Sequence, residues 1–391
     1  MSLRRFGPTF PRLFTAAITL ELSFSLLIHV PGYLSELGAT EGMIGLLFSA
    51  GALASLVMRP LLGRILDLRE RRTIILIACA ANIGLLVLLS TARVWGPYLW
   101  VLILVHRVVQ LGLFTTIITY AADSINVSRR TQGLAIYGLA GLIPIAVGGL
   151  AGDITINLVG FVGLFLVSAA VCSLAWYFYY TLPPIPVGGT EERRNFWSAL
   201  AQRNLLPLWL ATLLFSIGME VFFVFTRTYA QTLQILSAGA MFAVYGLSAA
   251  TLRVIGGRFY DRLPHRPMVV TAIVLYGSGL GVLALAGTVP VVVIAVFMAG
   301  CAHGIAFPLL SSQVVSRARQ SERGSAMATF TSIFDIALLI GAPTAGFLID
   351  AHSYLLGFGA VGAVLIVGAG VYAVWDRRMV AASAVAGEKA L

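Results

Sequence analysis

Residues 59–72 read RPLLGRILDLRERR, and much of the pattern returns at 253–266 as RVIGGRFYDRLPHR. Arg59, Gly63, Arg64, Asp67 and Arg72 match Arg253, Gly257, Arg258, Asp261 and Arg266 at a constant offset of 194 residues. Long apolar runs flank both copies. Arginines packed into a short gap between such runs need a physical reason. A bilayer supplies one, because a chain that threads it collects its cations in the loops on the cytoplasmic side.

Composition agrees. The chain has 391 residues, 59% hydrophobic and 11% charged, where a soluble domain is about 25% charged. So little charge cannot cover a water-facing surface, so lipid is the main solvent. The net charge of +10 would suggest nucleic acid in a soluble protein. Here the basic loops account for it, and no nucleic-acid partner is expected. Cys79, Cys172 and Cys301 lie in apolar runs without the spacing of a metal site or a redox pair, and read as small buried hydrophobes. No metal or other cofactor is expected. The N-terminus, MSLRRFGPTFPR, leads into a long span with no obvious small-residue cleavage site, so the first span is expected to be retained.

A bilayer core takes about 20 apolar residues per helix. On that ruler twelve spans are expected, at roughly 13–31, 42–62, 73–91, 97–120, 132–151, 157–180, 205–228, 235–256, 268–287, 289–310, 324–349 and 353–375. The longest linker, 181–204, contains TLPPIPVGGTEERRNFW. Its prolines, glycines and charges break the helical pattern. The expected fold is therefore an all-α membrane protein, with twelve transmembrane helices in two pseudo-symmetric six-helix bundles. The bundles are residues 1–180 and 205–391 (with a short tail), joined by a cytoplasmic linker at 181–204. With the N-terminus placed in the cytoplasm, 23 of the 26 basic residues fall inside. Arg93 and Arg227 fall outside, and Arg107 falls within a span. Both termini are thus expected to be cytoplasmic, in a multi-pass protein of the bacterial inner membrane.

With these residues the chain resembles a major facilitator superfamily transporter over nearly its whole length. The family's loop signature is G-x-x-x-D-R-x-G-R-R/K. Gly63, Asp67, Arg71 and Arg72 match it, while Leu68 and Glu70 depart from it. The second copy supplies Gly257, Asp261, Arg262 and Arg266. The resemblance implies a latch that clamps the cytoplasmic side of the two halves. The residues carry the same logic, since an aspartate beside a helix N-terminus, ringed by arginines, makes a charge-assisted contact that can form and break. The alternative is a plain basic loop that only sets topology. In HRVVQLGLF, 106–114, Arg107 and Gln110 resemble the family's R-x-x-Q-G-x-G pattern, with the glycine displaced to Gly112. The resemblance ties this arginine to proton movement; the alternative is a structural partner for a buried carboxylate. In GLAGLIPIAVGGLAGD, 138–153, Gly141, Pro144, Gly148 and Gly149 resemble the drug/proton antiporter (exporter) pattern, although Ile143 replaces a glycine. This implies a helix contact that seals the interface; ordinary small-residue packing is the alternative.

Three carboxylates fall in mid-span: Glu21, Glu220 and Asp335. Ser25 and His29 follow Glu21 at helical spacings and make a polar stripe. Charged groups inside a membrane are costly and mark function by default, and a carboxyl whose exposure changes can exchange its proton. Proton coupling is therefore expected from Glu21, Glu220 or Asp335 with Arg107, Gln110, Ser25, His29 and His303 nearby. A paired structural group is the alternative for each carboxylate, and a helix–helix hydrogen bond explains His29, His106 and His303 equally well. Asp123, beside Arg129 and Arg130, reads as loop electrostatics. No phosphate loop, HExxH or nucleophile elbow occurs, so neither ATP drive nor enzyme activity is expected. The expected function is proton-coupled efflux of small lipophilic or cationic molecules, of the multidrug-resistance kind, with Phe222, Phe223 and Phe225 among the aromatics of an acidic cavity. The alternatives are transport of an endogenous metabolite (a sugar, an organic anion or a metal chelator), in either direction, and a receptor or scaffold on the same fold. The partners expected are the small-molecule substrate, protons and lipid; a monomer suffices for alternating access.

Overall fold

The computed structural model describes residues 6–125, 133, 136–185, 200–256 and 263–388, with side chains at all of these except 67, 321 and 380–388. Every regular element among them is helical. They are α1 (Phe10–Leu26), α2 (Val30–Glu36), α3 (Glu41–Leu68), α4 (Arg71–Leu89), α5 (Pro97–Ser124), α6 (Leu139–Tyr180), α7 (Leu206–Leu233), α8 (Ala238–Gly256), α9 (His265–Ala284), α10 (Val289–Arg317), α11 (Arg323–Ala351) and α12 (Tyr354–Glu388). Eleven stretches among the described residues are long and apolar enough to cross a membrane, with α1 and α2 acting together as Phe10–Glu36.

Local chemistry explains the breaks. Between α1 and α2 the chain tightens into a 3-10 turn, Leu27–His29. Pro31 has no N–H to give and its ring crowds the carbonyl four residues back, so an undistorted α-turn cannot continue there. Thr40 caps α3 by accepting a hydrogen bond from the Met43 amide at 3.3 Å. Glu70 caps α4. Its Oε1 accepts from the Arg72 amide at 2.8 Å, and its Oε2 from the Thr73 amide at 2.8 Å and the Thr73 hydroxyl at 2.6 Å. The glutamate that departs from the loop signature thus does the work of a helix start.

The expected fifth and sixth spans form one element, α6, of 42 residues. At 1.5 Å per residue that length is about 63 Å, twice a hydrocarbon core. It is interrupted at Gly160, whose φ of 69° and ψ of −175° are non-helical. Only glycine takes that backbone region at low cost.

Large apolar side chains stand on the surface, as lipid allows, while some polar groups are enclosed. Leu158 is 78% exposed and Val367 69%, while His29 and Asp376 are fully buried. The chain divides into two compact units, Met1–Glu191 with Thr226–Leu247, and Glu192–Phe225 with Ser248–Leu391. In the first, α1 lies along α6, and α4 packs on both α5 and α6. Ser23 and Ser168 exchange hydroxyl-to-carbonyl hydrogen bonds at 2.9 Å across the α1–α6 contact. The Trp176 indole donates to the Leu76 carbonyl at 3.0 Å. Cys79 and Cys172 are buried with free thiols, and Asn82 donates to the Cys172 sulfur at 3.3 Å. In the second unit, α9 packs against α10 and α12. A Cβ on Gly277 would come within 2.7 Å of the Gly362 carbonyl, so the backbones touch there.

Candidate functional site

The loop between α3 and α4 comes first. Arg71 pairs with Asp123 at 2.6 Å, so Asp123 is held by α4; Arg129 and Arg130 lie outside the described residues. Arg72 donates to the Tyr180 carbonyl, and its guanidinium lies 5.2 Å over the Tyr180 ring. Both contacts tie the start of α4 to the C-terminal ends of α5 and α6. Burial pushes the Glu70 carboxyl up, but the Thr73 hydroxyl and the amides of Arg72, Thr73 and Ile185 outweigh it. They hold the group below its ordinary value of 4.5. Gly63 faces open space within α3, and Asp67 lies in the last turn of α3 with its side chain outside the description. Gly257, Asp261 and Arg262, the second copy's latch residues, also lie outside the described residues.

On α5, Arg107 and Gln110 meet as their three-residue spacing predicts. Arg107 Nη1 donates to Gln110 Oε1 at 3.2 Å. The guanidinium stands 6.0 Å from the Phe48 ring on α3. A Cβ on Gly51 would come within 2.8 Å of Arg107 Cγ, so that glycine makes the room the arginine occupies. No carboxylate among the described residues lies within ion-pair distance of Arg107.

The polar stripe on the first span runs along α6. Glu21 is half-buried. Ser25 is buried, and a Cβ on Gly148 would strike it. His29 is buried with its Nε2 at 2.9 Å from the Gly149 carbonyl, over Gly152. Gly149 also faces Phe242 and Gly239 of α8, and Pro144 is buried inside α6. Gly141 has open space where a side chain would stand. The stripe and the small-residue motif, read separately from the sequence, are two sides of one seam.

Glu220 on α7 and Asp335 on α11 are half-buried, and neither is without a partner. His303 is buried against the rings of Phe215 at 5.5 Å and Phe307 at 6.2 Å. Phe222 and Phe225 are fully buried, while Phe223 is half-buried beside Phe222.

Two charged clusters escaped the sequence reading. Asp153 accepts from Arg227 Nη1 at 2.7 Å and from the Gly239 amide at 2.7 Å. It ends the motif quoted above, and Arg227 is one of the two cations placed outside, yet 74 residues separate them. In the second unit Asp376, fully buried, pairs with Arg266 Nε at 2.8 Å and with Arg317. Its only sequence signal is an acid at the end of an apolar run.

Comparison with known proteins bears on the family and the fold. An uncharacterized MFS-type transporter of Burkholderia pseudomallei is 25% identical over 351 residues, covering 87% of this chain and 84% of its own length. A Salmonella typhimurium MFS-type transporter is 26% identical, covering 88% and 90%. Among solved structures, the nucleoside transporter NupG superposes with a TM-score of 0.75 at 16% identity over 94% of this chain and 99% of its own. A POT family transporter reaches 0.80 at 14% identity, covering 94% and 96%. The human organic anion transporter MFSD10 reaches 0.70 at 18%, covering 95% and 100%. The sequence profile of the Major Facilitator Superfamily matches residues 13–237 and 208–390, and the chain belongs to that superfamily of secondary transporters.

Proposed function

We propose that the protein is a proton-coupled exporter of small lipophilic or cationic molecules that works by alternating access. The observation that carries the coupling is Glu21. It lies within a span, half-buried, and among the described residues no hydrogen bond or ion pair reaches its carboxylate. Its proton is not committed to a fixed partner, so it can be exchanged as exposure changes. Glu220 and Asp335 supply further intramembrane acid. The exporter direction rests on the packed seam of Pro144, Gly148 and Gly149. The frame of the reading is two six-helix bundles, 1–180 and 205–391. In it α6 crosses twice, giving twelve spans, both termini are cytoplasmic, and a monomer suffices.

A second reading is favoured by Arg107. A guanidinium inside a span with no carboxylate in reach among the described residues suits a substrate that brings its own anionic group. That cargo is an endogenous organic anion, imported or exported. The fold by itself is compatible with either, since the solved neighbours include nucleoside, peptide and organic anion transporters.

The test is flux in proteoliposomes under an imposed pH gradient, with a lipophilic cation and an organic anion as alternative cargoes. Glu21→Gln is expected to abolish gradient-driven accumulation. Arg107→Gln is expected to abolish flux of the anion and spare that of the cation. Unchanged coupling in Glu21→Gln removes Glu21 from the mechanism.

A further inference from the structure

We propose that Asp153 and Arg227 form an ionic latch at the extracytoplasmic end of the first unit, which must part for the transporter to open on that side. Asp153 is its centre, because its carboxylate joins both α7 and α8 to its own helix. Oδ1 takes the Arg227 guanidinium of α7 at 2.7 Å, with both side chains only 13% exposed. Oδ2 takes the Gly239 amide at 2.7 Å. That amide belongs to the first turn of α8, where N–H groups lack helical partners and the helix dipole favours an anion. The His29 ring closes the third side, with Nδ1 at 3.7 Å from Oδ1.

The surroundings are shaped for the pair. A Cβ on Gly32 would come within 2.7 Å of Arg227 Cγ, so the glycine leaves the arginine stem its present path beside α2. The Arg227 guanidinium lies 5.7 Å from the Phe161 ring. The next residue, Thr228, donates to Glu41 Oε2 at 3.1 Å, at the first turn of α3. Polar bonds thus join residues 226–247 to α3 and α6, and Gly149, Gly239 and Gly246 allow close backbone approach beside them. This is why residues 226–247 pack in the first unit. A charge-assisted bond shielded from water is strong while formed, yet it can break in one step. Arg227 is one of the few cations that the charge pattern places outside, which gives the latch its side.

The inference rests on the alternating-access reading above. The experiment uses the full chain with Cys79, Cys172 and Cys301 replaced by serine, and Ser25→Cys introduced about one turn below His29. Right-side-out vesicles are treated with a charged, membrane-impermeant methanethiosulfonate. Labelling is expected to be slow with the latch intact and about tenfold faster in Asp153→Asn, which keeps an acceptor for the Gly239 amide but loses the ion pair. Arg227→Gln is expected to match it. The double variant, Asp153→Asn with Arg227→Gln, is expected to label no faster than either single variant, because both changes break one contact, whereas two separate losses of fold would add. Equal rates in the parent and both single variants would overturn the latch, as would a double variant whose two effects add. Labelling needs no cargo. Faster labelling without gradient-driven flux therefore keeps the latch and counts against the proton-coupled reading alone.

Discussion

Arg107 owes its position to a residue that carries no chemistry. The space its stem fills exists because Gly51 has no side chain, and a methyl there would sit 2.8 Å from Arg107 Cγ. An arginine stem is flexible and can give way, so Gly51→Val is expected to cost little stability but to break the Arg107–Gln110 contact. Initial transport rates should fall about tenfold, the worth of one charge-assisted hydrogen bond, with an unchanged melting temperature in detergent. Glu70 makes the opposite kind of prediction, for stability alone. Removing a helix cap costs about 1 kcal/mol, and Glu70→Ala should show it in thermal unfolding at neutral pH. The carboxyl titrates below its ordinary value of 4.5 in the folded chain, so its contribution is full above that value. It is lost as pH falls through the lower, folded value. The gap between wild type and Glu70→Ala should therefore close on acidification; a gap that widens would contradict the cap. Arg107 and Gln110 were legible in the sequence because a three-residue spacing puts them on one helix face. Asp153 and Arg227 were not, because their spacing carries no period and only the packing of α7 and α8 brings them together.

Elements tell a similar story about which signals are local. The break between α1 and α2 is written in Pro31, and the start of α4 in Glu70. The break in α6 is not, because the chain has 40 glycines and nothing local marks Gly160 as the one with φ of 69° inside a helix. A side chain at that φ and ψ is strained by about 1–3 kcal/mol. Gly160→Ala is expected to lower the melting temperature in detergent, whereas Gly141→Ala, where a Cβ meets open space, is expected to leave it unchanged or raise it. Equal melting temperatures would mean that the bend does not depend on glycine. The ends of α9, α10 and α12 are braced by Asp376 with Arg266 and Arg317. Asp376→Ala leaves two guanidiniums facing a hole, and is expected to cost about 3 kcal/mol, the low end for a broken buried pair because both arginines keep some exposure. Asp376→Asn should recover part of that, since an amide oxygen still accepts.

At the scale of the molecule, the helical membrane fold was legible because two independent signals agree. Apolar runs give the spans, and the arginine asymmetry sorts the loops between them. What neither signal decides is whether α6 is one very long helix or two crossings that meet at Gly160. Its 42 residues are too many for one crossing without a steep tilt or a long projection into water, since about 20 suffice. Two crossings also return the linker at 181–204 to the side of the N-terminus, where its arginines belong. The alternatives differ in where Leu158 stands. It is 78% exposed, two residues before the break. With two crossings it lies at the extracytoplasmic interface. With one crossing it lies beside lipid or on the cytoplasmic side, depending on where the helix enters. In the background free of native cysteines, Leu158→Cys is expected to react with an impermeant maleimide added outside intact cells. Arg69→Cys, in the loop between α3 and α4, should react only after permeabilisation. Leu158→Cys that stays unlabelled from outside, with Arg69→Cys behaving as expected, would make α6 a single crossing. It would also place the second bundle in the opposite orientation, and the repeated loops at 59–72 and 253–266 would then face different compartments.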